Sequence, residues 1–385
     1  MRIAVFDYKV VPTSPIGGCH RRMIEGLCSE HEFTVFAVEF DNPCPDRVTW
    51  VRIPVPTRPL ALLFVAYHLV APVVFFAHKM RHGARYDIVQ RVENYLGFGD
   101  VAYVQFCHRA FLSQIWPAIG GRGFRNRVRW LDHFLRAMLE PIVYRRTARF
   151  VVPSTGLEEE LKGEFDLVAS RIVRVPNPVE VRQFVPPADF DREAVRRDHG
   201  FSIDDIVLVF TALGHFERKG LPLVLAALQH LPDYVKLMVV GGDEDLVRAY
   251  ARRAMRLGVG KRTAFVGMVD DVSPYLLSAD AFIFPSFYET FSLSVHEAAA
   301  AGLPVIATRV HGVTDSFRDG ENALLVESTV ESVRTGIDRF ISLSTLERAE
   351  LGTRGRDTVQ QFDPSQFADR WREFYRGVAE FVPPR

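Results

Sequence analysis

Residues 285–308 read PSFYETFSLSVHEAAAAGLPVIAT, and the way this stretch folds decides how the rest of the chain is organised. Just ahead of it, Ala281-Phe282-Ile283-Phe284 is a short apolar run, as expected of a parallel strand buried on both faces. Ser292 to Ala301 is rich in alanine and is followed by Gly302, so the sequence predicts a helix with a glycine stop. Pro304 to Thr308 is apolar again and is expected to form the next strand. Strand, loop, helix and strand together make the repeating unit of a parallel α/β sheet. Glu289 then lies on a strand-to-helix loop, and Glu297 lies about one and a half turns into the helix. Both sit at the carboxyl end of a strand, where open α/β sheets bind ligands.

Two acids at such a place suit a polyol. A carboxylate only accepts hydrogen bonds and can take two at once, and the vicinal hydroxyls of a ribose or hexose offer such a pair. The backbone amides of Phe291, Ser292 and Leu293 open the helix and suit an anion such as phosphate. Hydroxyl acceptors beside a phosphate cradle fit a sugar nucleotide. Taken singly, either Glu reads as a solvated surface acid; the apolar strands on both sides argue against that here.

The segment resembles the Glu-x7-Glu motif of the retaining family-four glycosyltransferases. The family wording is Glu-Gly-Phe-Gly-Leu, three variable residues, then Glu-Ala. This chain has Glu289-Thr290-Phe291-Ser292-Leu293, Ser294-Val295-His296, then Glu297-Ala298. Thr290 and Ser292 replace the two glycines and leave both carboxylates in place. The resemblance implies a GT-B fold of class α/β, with two Rossmann-like domains facing across a cleft. It also implies that Glu289 touches the donor sugar and that Glu297 holds the ribose.

With 385 residues, 48% hydrophobic and 24% charged, the chain is long enough for two or three domains with full cores. Its four cysteines, Cys19, Cys28, Cys44 and Cys107, lack zinc-ligand spacing, and free thiols in a reducing compartment are expected. The N-terminal MRIAVFDYKV reads as a strand rather than a signal peptide. Lys plus Arg outnumber Asp plus Glu by 24 to 18 over residues 1–185, a balance of +6 that the remainder cancels. That asymmetry favours an anionic partner for the first half but is too small to indicate nucleic acid.

In the first half, Pro12-Thr13-Ser14-Pro15-Ile16-Gly17-Gly18 joins a first strand to a first helix. Two glycines there read as a turn, or as a place where backbone comes close to a phosphate. There is no G-x-G-x-x-G to favour a dinucleotide oxidoreductase. Pro54, Pro56 and Pro59 precede Leu60–Ala77, a nearly continuous apolar run. Tyr67, His68 and Pro72 interrupt that run, so a buried crossover helix is expected in place of a membrane span, with peripheral membrane contact as the second option. Asp100–Cys107 reads as a strand ending at His108. Residues 122–149 hold eight arginines, among them Arg122, with an apolar stripe at helical spacing. They read as an amphipathic helix packed on its own domain, or as a basic face for an anionic acceptor or membrane surface. The resemblance places Gly17 and Gly18 beside the donor phosphates and sugar, and His108 against the donor sugar.

The second half restarts the pattern. Ile206–Leu213 is an apolar strand, followed by Gly214-His215-Phe216-Glu217-Arg218-Lys219-Gly220 and a helix. A glycine turn carrying cations before a helix is a phosphate grip. Lys219-Gly220 match the family pattern directly. His215 stands where the family has Arg, and Arg218 is the candidate to replace it. The resemblance sets Met268 along the nucleotide base through its backbone. It also implies that a C-terminal helix from Pro364 returns to the first domain.

The expected domains are 1–186 for the acceptor, 187–363 for the nucleotide-sugar donor, and the returning helix 364–385. The expected activity is transfer of a sugar from a nucleotide diphosphate donor to a glycan or lipid-linked acceptor, with retained configuration. His108, Glu289 and Lys219 are the candidate catalytic residues. Gly17, Gly18, Arg218, Lys219, Met268, Glu289, Phe291, Ser292, Leu293 and Glu297 are the candidate donor-binding residues. Cations at the phosphates make a metal unnecessary, so no metal or other cofactor is expected. The expected location is the cytoplasm, with peripheral contact at the inner membrane face through the N-terminal domain. A sugar-nucleotide epimerase and a non-catalytic sugar-nucleotide binder are the alternatives.

Overall fold

The computed structural model describes residues 1–57, 60–121, 123–167 and 169–379. Pro59, Arg122 and the end of the chain from 380 to 385 lie outside the described residues. The chain divides into two units, Met1–Pro178 with Pro364–Arg385, and Val179–Asp363.

Unit 1 is built on β1 (Arg2–Phe6), β2 (Glu32–Ala37), β3 (Val48–Arg52), β4 (Ile88–Val92), β5 (Val101–Tyr103), β6 (Arg149–Val152) and β7 (Ile172–Arg174). They form one parallel sheet in the order β3-β2-β1-β4-β5-β6-β7. Strand order reverses between β1 and β4, the switch point of a doubly wound sheet. Helix α1 (Pro15–Leu27) starts at a Ser14 cap with proline in its first turn. Helices α2 (Leu60–His82) and α3 (Phe124–Arg145) follow.

Two expectations for this unit are corrected. First, α2 is not simply buried. Its inner side sets Tyr67, Ala71 and Phe75 into a core with Phe6 and Phe36, and the Tyr67 hydroxyl donates to the Phe36 carbonyl at 2.8 Å. Its outer side is exposed, with Leu69 at 68% and Met80 at 85%. Second, the cysteines are not all free thiols: Cys28 and Cys44 are joined in a disulfide, while Cys19 and Cys107 are buried and unjoined. Cys28 caps the C-terminus of α1 and Cys44 lies on the loop before β3. A spacing of 16 residues gives no sign of this, because only the fold brings the two together.

Unit 2 comprises β8 (Ile206–Thr211), β9 (Val235–Val240), β10 (Thr263–Gly267), β11 (Ala281–Phe284), β12 (Val305–Thr308) and β13 (Leu324–Val326). They form a second parallel sheet in the order β10-β9-β8-β11-β12-β13. The switch point therefore falls between β8 and β11. Helix α4 (Leu221–Leu228) follows β8, and α5 (Leu293–Ala300) follows β11. The boundary expected at 186 lies inside this unit, because Val179, Val181 and Phe184 are buried in its core. Two helices, Val330–Ser342 and Thr345–Val359, follow β13. Ser344 opens the second with a reciprocal capping box to Glu347, which ends one helix and starts the next.

Helix α6 (Pro364–Ala379) belongs to unit 1. It buries Phe367, Trp371, Phe374 and Tyr375 in the core that holds Ile3, Val5 and Met23, and the Tyr375 hydroxyl donates to Gln90 Oε1 at 2.7 Å. Trp371 is fully buried, so Trp371→Ala should destabilise unit 1 by about 3–5 kcal/mol. Urea denaturation followed by circular dichroism measures the change.

Candidate active site

The β8 and β11 strands pair in register, Leu208 with Ala281 and Val209 with Phe282. Their outgoing loops therefore run side by side at the switch point. The Phe287 amide donates to the Arg218 carbonyl at 2.9 Å. Gly220 sits at φ 82°, and a Cβ there would lie 2.0 Å from the Pro285 carbonyl oxygen. Only glycine allows the two loops this close.

The contact joins residues far apart in sequence. Lys219 Nζ donates to Glu289 Oε1 at 2.5 Å, and Arg218 reaches the same oxygen at 3.3 Å. Ser286 Oγ donates to it at 2.8 Å. Arg218 also donates to the Tyr288 carbonyl, and the Lys219 ammonium lies 5.0 Å from the centre of the Phe284 ring. All three side-chain bonds to Glu289 end on Oε1, which leaves Oε2 for another donor. Lysine carries three N–H donors, so the Glu289 contact leaves others to aim at a ligand.

Glu289 is 8% exposed. Burial alone would push its carboxyl up, but the Lys219 and Arg218 charges, with bonds from Lys219 and Ser286, bring it below its usual value. Glu289 is thus ionised at neutral pH. Burial lowers the Lys219 ammonium to about 8, against the pull of Glu289, so at pH 7 it is still a cation. A step that needs this charge should slow as pH rises through about 8. In Lys219→Arg that basic limb should vanish, since a guanidinium stays protonated. A pH–rate profile of donor turnover checks both outcomes.

Glu297 lies in the second turn of α5 and is partly buried. Its carboxyl is raised to about 7 by burial alone, because no neighbouring charge compensates. Ser292 caps α5 in the left-handed region at φ 65°. A non-glycine residue there costs about 1–2 kcal/mol, which accounts physically for glycine in the related motif. The Ser292 hydroxyl is buried without a partner. A Cβ on Gly312 would lie 2.4 Å from the Phe291 Cα, so the loop after β12 rests directly on the backbone that opens α5. The Phe291 ring stacks on His296 at 4.2 Å. Leu293 begins the helix. Met268 follows β10 and its side chain is exposed.

The remaining candidates are placed differently from the expectation. Gly17 and Gly18 lie within the first turn of α1, not on a loop. Their amides are used inside the protein: Gly17 donates to Ser14 Oγ at 3.2 Å and Gly18 to the Ser14 carbonyl at 2.6 Å. A Cβ on Gly17 would sit 1.8 Å from the Lys9 carbonyl oxygen, so packing demands this glycine. His108 is buried and starts a short helical turn. Its Nδ1 is 2.9 Å from His133 Nδ1 and its Nε2 is 3.2 Å from Glu93 Oε2. Burial, then the nearby Arg136 charge, hold the ring far below its ordinary pKa, so it is neutral. Sequence reasoning missed Ser286 and the Phe284 ring beneath Lys219, and it missed Glu93 and His133 around His108. Ser286 was findable, two residues past the apolar strand. Among the described residues, no group of three or more His, Cys, Asp or Glu side chains is placed to hold a metal ion.

Known proteins match both halves. The sequence model for "Glycosyltransferase Family 4" matches residues 21–183, and that for "Glycosyl transferases group 1" matches residues 205–342. The chain is 34% identical over 166 residues to the lipopolysaccharide core biosynthesis glycosyltransferase LpsE of Rhizobium meliloti, covering 42% of this chain and 48% of that one. It is 27% identical over 199 residues to the putative glycosyltransferase EpsD of Bacillus subtilis, covering 51% and 52%. The chain thus spans about half the length of these two relatives. An uncharacterised glycosyltransferase of Methanocaldococcus jannaschii is matched at 23% identity over 99% of this chain and 100% of that one. Among solved structures, WaaG, a lipopolysaccharide-biosynthesis glycosyltransferase, superposes with a TM-score of 0.77 at 19% identity, covering 99% of each chain. A sucrose-phosphate synthase from Thermosynechococcus elongatus gives 0.79 at 20% identity, covering 98% and 99%. With two doubly wound parallel sheets, an acidic helix and a Lys-Gly turn meeting at the second switch point, and these matches across both halves, the chain belongs to the group 1, family-four glycosyltransferases of GT-B fold.

Proposed function

We propose that this protein transfers a sugar from a nucleotide diphosphate donor to an acceptor hydroxyl, in glycan biosynthesis. The observation that carries the reading is the cluster of Lys219, Arg218 and Glu289 at the switch point of unit 2, next to the helix bearing Glu297. The leaving diphosphate gains negative charge as the glycosidic bond breaks, and fixed cations and amides stabilise that charge. Lys219, Arg218 and the Leu293 amide at the start of α5 take this role. Glu289 Oε2 accepts a hydroxyl of the donor sugar, and Glu297 accepts from the ribose. Phe291 and Ser292 shape the loop between them, and the backbone after β10 at Met268 lies along the base. Two cations at the phosphates supply the charge that a metal otherwise brings, so the reaction is metal-independent. Glu289 is held by three donors on one oxygen, a hydroxyl acceptor more than a nucleophile. The retaining reaction accordingly runs by substitution on one face. A related Anabaena protein, HepE, has been crystallised with UDP-glucose, which supports a donor of that chemical class. The acceptor, a glycan or a lipid-linked sugar, is met by unit 1, at the inner face of the cell membrane.

Incubating purified protein with a panel of nucleotide sugars and reading products by mass spectrometry tests this. Slow donor hydrolysis, with or without added EDTA, is the expected result. A 2-epimer would mean an epimerase, and binding without turnover would mean a binding protein.

A further inference from the structure

Helix α2 shows an outer face that water does not favour. Leu62, Val65, Leu69, Val73, Phe76 and Met80 are all exposed. They recur at steps of three and four, so they form a single stripe. No charged side chain occurs from Leu60 to His78, and Lys79, Arg81 and Arg85 follow. Helix α3 is arranged to match. Leu131, Phe134, Met138 and Ile142 are exposed at the same spacing, and exposed Arg127 and Arg145 extend that stripe by one step at either end. The acids of α3 are withdrawn from it: Asp132 pairs with Arg136 at 3.2 Å and Glu140 is fully buried. The two helices touch where the Arg136 guanidinium lies 4.6 Å from the Phe64 ring centre.

We propose that these two stripes are the surface on which unit 1 docks onto an anionic lipid bilayer, with α2 lying in the headgroup region. This deepens, and rests on, the peripheral contact proposed above. Apolar stripes ended by cations are what an interfacial helix needs: the aliphatic and aromatic groups enter the acyl boundary and the arginines meet lipid phosphates. A second copy of this chain is a poorer occupant. A symmetric contact would set the basic ends of α2 and α3 against their own kind, and neither stripe has an exposed carboxylate to pair with them. A membrane span is poorer still, although α2 is long and apolar enough to cross. Its inner side is part of the unit 1 core, and Tyr67 is hydrogen-bonded to β2; crossing would tear both away.

Flotation of the purified full chain with phosphatidylcholine vesicles, with and without phosphatidylglycerol, tests the docking surface. The protein should float with the anionic vesicles, should float far less with the neutral ones, and should be released by added salt. Leu69→Ser combined with Val73→Ser should weaken binding at least about tenfold. Arg127→Ala or Arg145→Ala should weaken it about fivefold each. Donor hydrolysis in solution should stay unchanged in all these variants, which keeps a failure of this surface separate from a failure of the transferase reading. Equal flotation of the Leu69/Val73 variant and the parent would overturn the proposal. So would a stable dimer in solution that the same two substitutions split, since the stripes would then cover each other.

Discussion

Lys219→Met should reduce donor turnover by at least about a hundredfold, the usual cost of removing one fixed group that stabilises charge in the transition state. The same change should lower stability. Glu289 is buried and ionised because Lys219 and Arg218 stand beside it. Without the ammonium it becomes an undercompensated buried carboxylate, and breaking such a pair costs about 3–5 kcal/mol. The methionine stem keeps its packing over Phe284 while losing the charge. Adding Glu289→Gln should restore most of the stability, since a neutral pair no longer needs mutual compensation, but it should restore no turnover. Urea denaturation and donor hydrolysis on the two single variants and the double variant separate the two roles. Parental turnover in Lys219→Met would remove Lys219 from the chemistry.

Glu297→Gln should separate stability from binding in the opposite sense. The folded carboxyl titrates near 7, whereas an unfolded glutamate titrates near ~4.3. Between those values the folded state binds more protons than the unfolded one, so stability falls as pH rises through that window. The glutamine variant lacks this term and should be more stable than the parent at pH 7.5, by about 3–4 kcal/mol. Donor binding should nevertheless weaken about a hundredfold, the worth of hydrogen bonds to a charged acceptor. In the parent, ribose hydroxyls favour the ionised form, so binding should release a proton near pH 7. Calorimetry in buffers of different ionisation enthalpy reads that proton. Unchanged donor affinity in Glu297→Gln, with no proton released by the parent, would remove Glu297 from the donor site.

The parts of the site readable in the sequence are those where one local pattern has one physical meaning. An apolar run, a glycine and a cation before a helix placed Lys219, and the alanine-rich segment placed Glu289 and Glu297 at a strand's end. Where one residue can serve two physical ends, the sequence leaves both open. Gly17 can bring backbone close to a ligand or to the protein's own Lys9 carbonyl, and the sequence looks the same in either case. His108 could face a ligand or a buried partner, and its partners Glu93 and His133 come from separate segments that only the fold assembles. For α2 the apolar run was plain, but which of its faces lacked cover depended on where the sheet lay. The boundary near 186 slipped because Val181 and Phe184 sit among prolines that resemble a linker.

Because α6 completes the core of unit 1, that unit is interrupted in the gene by the whole of unit 2. On a ribosome the middle of the chain is therefore finished before the beginning can be. The strands laid down first must wait, with their bed for Trp371 and Tyr375 open, until the last helix emerges. A chain cut back to residue 363 would carry one closed unit and one still unsealed, with apolar surface that a chaperone would hold.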